Sequence, residues 1–120
     1  MDLEIVHPGY SKRRISVGEK GIGSFHRDRI SLKALYIPER QDRCKGVEIA
    51  PISQKDAFIE MIRHSFSVSI VEALGLQVPR MQFFSGLVQI VPVRRLVYPP
   101  GLSLLSEVAD TLVEDVRSGR

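Results

Sequence analysis

Apolar residues recur with helical spacing over one long stretch of the chain: Phe58, Met61, Ile62, Phe66, Ile70 and Leu74. Steps of three, four and eight place them along one side of a helix. Ser53 and Asp56, three apart in "SQKD", form a capping-box pattern at its start. Gly75 stands where a helix C-terminus turns left-handed. The spacing predicts a helix over about 54–74, with Glu60, Arg63, His64 and Ser67 on its solvent face. Ser65, Ser69 and Glu72 fall inside the apolar arc. Serines there bond their hydroxyls to the preceding turn. Glu72 is expected at the rim of the arc with its carboxylate in solvent; the alternative is a polar pocket or a subunit contact. A second helix is predicted over 104–117, capped by Ser103, with Leu105, Val108, Ala109, Leu112 and Val116 on one face.

Elsewhere the period is two. "DLEIV" and "RISV" read as short strands, with a turn at Pro8-Gly9 between them. Ile30, Leu32, Ala34 and Tyr36 alternate with polar residues and predict a strand ended by Pro38. "ERQDRCKG" is a charged loop. "QVPRMQFF" and "LVQIVPVRRLVY" read as two further strands, broken at Ser85-Gly86. Pro79 and Pro92 remove ladder donors, so both are expected at edges or bulges. The adjacent arginines Arg94 and Arg95 then serve as edge charges. The element order predicts a single α+β domain over 1–120: a mainly antiparallel sheet with the two helices on one face.

A chain of 120 residues suits one domain with a core of its own. There is no apolar run of about 20 residues, so no membrane span is expected. "MDLEIVHPGY" lacks the basic start and apolar stretch of a secretory signal, and one cysteine cannot form an internal disulfide. A cytoplasmic protein is the expectation. Cys44 lies between Arg43 and Lys45, which would favour its thiolate.

The net charge is +3, unevenly placed. Residues 1–45 hold ten Lys/Arg and six Asp/Glu, hence +4; residues 46–100 hold five and four, hence +1; residues 101–120 hold two and four, hence −2. The basic excess at the N-terminal end attracts phosphates, which makes a nucleotide or nucleic acid one partner class.

Three glycines sit in that basic third, in "GEKGIGSF". The pattern resembles the start of a Walker A loop, which needs a lysine after its last glycine and then Ser or Thr. Ser24 follows Gly23 directly, Lys20 lies upstream, and a strand rather than a helix is expected next, so that motif is incomplete. Over about seven residues the loop also resembles the glycine box of histidine-kinase and Hsp90-like ATPases. The upstream acid or amide metal ligand of that family has no counterpart before Gly18, and the family is not adopted. What remains is a glycine turn, or an anion nest of successive backbone N–H groups, with Gly18, Lys20, Gly21, Gly23, Ser24 and Arg27 as its residues.

His26 and Asp28 share one face of an extended chain and are the weak candidates for proton transfer. Glu60 and His64, at i and i+4, read as a solvated ion pair; a metal needs three or four ligands, and none is expected. The functional expectation is a small oligomeric binding or assembly module, a homodimer, that recognises an anionic partner through its basic, glycine-rich N-terminal third. The alternative is a small enzyme acting on a phosphate- or carboxylate-bearing metabolite at a subunit boundary.

Overall fold

The computed structural model describes residues 4–5, 9, 13–18, 21–65 and 68–119. Its contacts divide the chain into two units, Met1–Ser31 and Leu32–Arg120, each taken here by itself. Pro8, Lys20, Phe66 and Ser67, named above, lie outside the described residues.

In the first unit, β1 (Glu4–Ile5) pairs antiparallel with β2 (Arg13–Arg14). The strand expected over "RISV" is thus displaced towards the N-terminus and keeps only Arg14. The glycine segment follows. From Ser24 to Ser31 the chain is exposed and forms neither helix nor strand.

The second unit is α+β. Its sheet has three strands: β3 (Leu35–Arg40), β4 (Glu48–Pro51) and β5 (Val93–Tyr98). The order is β3-β5-β4, with β3 parallel and β4 antiparallel to β5. The sheet is therefore mixed rather than mainly antiparallel. The strand expected from Ile30 begins at Leu35 and runs through Pro38 to Arg40, because β3 is an edge strand and tolerates a missing donor.

The 54–74 stretch is two helices, α1 (Gln54–Arg63) and α2 (Val68–Ala73). Ser53 caps α1 as its sequence implies, with the Asp56 N–H donating to its Oγ at 3.1 Å. Gly75, at φ +66°, ends α2: its N–H bonds to the Glu72 carbonyl and that of Leu76 to Val71, the paired bonds of a Schellman motif.

"QVPRMQFF" is not a strand. Residues Gln77–Ile90 form α3, with Pro79 in the first turn, where its missing N–H has no helical partner to lose. Ser85 and Gly86 lie inside this helix, and Pro92 marks the passage into β5. A 3₁₀ turn (Leu102–Leu104) leads into α4 (Leu105–Arg117). Ser103 makes no cap there.

Side chains alternate between the two faces of the sheet. Ile37 and Val93 pack with Ala57 of α1 and Val88 of α3 in the core, which Leu35, Ile52, Phe58 and Met61 extend. Tyr36 and Arg94, one residue along each strand, turn the other way and hold α4. Thus α1 and α3 cover one face and α4 the other, instead of both predicted helices sharing a face. No helix among the described residues is long and apolar enough to cross a membrane.

Candidate functional site

The glycine segment closes on itself. Gly21 donates its N–H to the Gly18 carbonyl at 2.9 Å, Ile22 donates to Ser16 at 2.8 Å, and Val17 bridges to Ile22. Gly18 and Gly23 have φ of +103° and +69°, a region glycine enters without strain. A Cβ on Gly21 would run into the Ser16 carbonyl. The amides of Gly21 and Ile22 are therefore spent inside the turn. Any anion at this loop meets side-chain charge and other amides.

Ser24, His26, Arg27, Asp28 and Arg29 are all exposed on the irregular stretch that follows. No hydrogen bond or ion pair joins His26 to Asp28 among the described residues. Arg27 and Arg29 stand in solvent, as do the two weak catalytic candidates.

Polar groups in the second unit are held far more firmly. Arg94 Nη1 donates to Asp115 Oδ2 at 2.6 Å, and both side chains are about nine-tenths buried. The Tyr36 hydroxyl donates to the same oxygen at 2.5 Å. Burial first, and the Asp115 acceptor next, push the Tyr36 phenol above its ordinary value of 10.0. β5 is the central strand, so Arg94 is a buried partner and not an edge charge. Arg95 faces the other way and pairs with Glu39 of β3 at 3.0 Å. The Gln41 amide, and then Arg95, hold Glu39 below its ordinary value. Sequence signalled two opposed arginines; it could not signal Asp115, which lies 21 residues on.

Glu60, expected in solvent, is buried at 7% exposure. Its carboxylate accepts from Arg63 Nη1 at 2.9 Å and lies 3.1 Å from His64 Nε2, both on mostly exposed side chains. The i, i+4 pair exists as spacing implied, but its acid is drawn in. Ser65 donates to the Ile62 carbonyl, the back-bond expected of it, and accepts from Arg80. Glu72 is exposed. The half-buried Cys44 thiol donates to the Gly46 carbonyl.

The least compensated surface is apolar. α3 is apolar around most of its circumference, a composition that asks for cover on more than one side. Its inner side supplies Val88 to the core. On its outer side Pro79, Phe83, Gly86 and Ile90 follow at steps of four, three and four, and all are exposed, Phe83 by 64% and Ile90 by 80%. That is the spacing of a helix–helix seam. Space around Gly86 is open, so a second backbone can come close there. A groove of about 500 Å³ runs beside Phe83, Gly86 and Ile90.

These features define a small mixed α+β unit with an exposed apolar stripe along α3, in a chain whose described residues from Ser24 to Ser31 are exposed and irregular. Comparison with family models, curated proteins and solved structures finds no match to this chain.

Proposed function

We propose that the chain is a self-associating binding and assembly module: two copies meet through the outer seam of α3, and the basic N-terminal third takes a phosphate-bearing partner. The observation that carries this reading is the Pro79–Phe83–Gly86–Ile90 stripe. Apolar residues at seam spacing on a helix already packed on its other side are stabilising only when covered. A second copy presents the same stripe, and a two-fold axis near Gly86 sets one against the other. Recognition of the anion rests on Arg27 and Arg29, since two amides of the glycine turn are already bonded.

Sedimentation at about tens of micromolar tests the first half, a range in which a modest apolar dimer is populated. The expected mass is twice the 13.5 kDa of one chain. Phe83→Glu should return it to one chain with unchanged far-UV dichroism; a wild-type chain that sediments as a monomer overturns the reading. The second half is tested with a single-stranded oligonucleotide and with inorganic polyphosphate. Binding should weaken with salt and fall in an Arg27→Gln/Arg29→Gln variant. Equal binding by wild type and variant would remove the assigned role of the N-terminal third.

A further inference from the structure

A pocket of about 520 Å³ opens on the α4 side of the sheet, away from the α3 seam. Cross-strand pairs build its base: Pro38 opposite Leu96, then Arg40 opposite Tyr98. Leu104, Leu105 and Val108 form the helical wall, and the chain from Pro99 to Leu102 closes the end. The volume lies within the range of small-molecule sites, which are mostly apolar with a few placed polar groups.

Its polarity runs one way. Arg40 is the single charged residue in the lining, at the end where β3 stops, and Tyr98 stands beside it. Among the described residues Arg40 pairs with Asp42, at 3.6 Å between two mostly exposed side chains. Such a pair is weak and leaves guanidinium donors to spare. The adjoining N-terminus, from Gly101 through Leu105, has no side-chain cap, and Glu107 in the first turn of α4 offsets its dipole, so Arg40 is the charge that recognises an anion here.

We propose that this pocket binds a medium-chain alkyl carboxylate. The chain lies on Pro38 and Leu96 against Leu104, Leu105 and Val108, and the carboxylate meets Arg40. Arg40 is largely exposed, so its head can turn to a carboxylate at the pocket mouth, an acceptor that a neutral or cationic occupant would not offer. An amphipathic anion satisfies both ends of the pocket.

The test is titration of the full chain, by calorimetry and by methyl NMR, with decanoate, decanol and decyltrimethylammonium below their micellar concentrations. Decanoate should bind one to one, about tenfold tighter than decanol, as one charge-assisted hydrogen bond implies, and the cation should not bind. Arg40→Gln should bring decanoate and decanol to parity while decanol binding is kept. Leu105→Glu, on an exposed position of the wall, should abolish decanoate binding and leave the dichroism spectrum intact. Absent saturable binding, equal affinities in the wild type, or an unaltered Leu105→Glu titration would each overturn the proposal. So would a fall in sedimenting mass in Leu105→Glu, which would make a second copy the occupant.

Discussion

Asp115→Ala is the sharpest probe of how α4 is held. The carboxylate accepts from Arg94 and Tyr36 through one oxygen, at 2.6 and 2.5 Å, between a helix and two strands. Removing it leaves the Arg94 guanidinium buried without that acceptor. Breaking a buried ion pair from one side costs about 3–5 kcal/mol, mostly from the stranded charge. Against a total stability of about 5–15 kcal/mol for a domain, that loss is large. Arg94→Met/Asp115→Leu removes both charges and strands neither, so it should recover most of the loss. The assay is urea denaturation followed by far-UV dichroism at several protein concentrations, so that self-association is separated from folding. An Asp115→Ala loss below about 1 kcal/mol, the scale of an exposed pair, would refute the docking of α4 through this cluster. So would a double variant no more stable than the single one.

Two further predictions concern the same unit. Ser53→Ala should cost about 1 kcal/mol through the lost cap on the Asp56 amide, read as a shift in urea midpoint at constant slope; an unchanged midpoint would show that α1 does not use this cap. Because the Tyr36 phenol is raised above 10.0, the native state holds its proton more tightly than the unfolded chain. Its contribution is full below that pH and lost as pH climbs through the raised value. The stability gap between wild type and Tyr36→Phe should therefore narrow as pH rises past about 10, and a widening gap would contradict the assignment.

What the sequence alone determined is what its near neighbours determine. The Ser53 cap, the Gly75 turn, the back-bonded Ser65 and the helical register of Glu60 and His64 depend on residues one to five positions apart, and all are seen. α3 was illegible for a definite reason. A helix apolar on most sides has no period to detect, and its β-branched and aromatic residues imitate a buried strand. Pro79 and Pro92, signals of strand edges in that reading, mark helix boundaries instead. β4 is four residues long and too short to stand out.

Only tertiary structure decided where β5 goes. It enters last and takes the centre of the sheet, parallel to β3 across a separation of 58 residues, Leu35 opposite Val93. No local pattern specifies a partner that distant. That placement buries Arg94 rather than leaving it on an edge, and Asp115 on α4 answers it. The requirement also turns the packed side of α4. Asp115 faces the sheet together with the half-buried Val108 and Leu112, while Leu105, Ala109 and Val116 remain exposed, so the docked side shares only part of the apolar stripe read from spacing. A single buried charge needs its counterion more than several partly covered methyl groups need shelter, because an unpaired guanidinium in the interior costs more than any one of them gains.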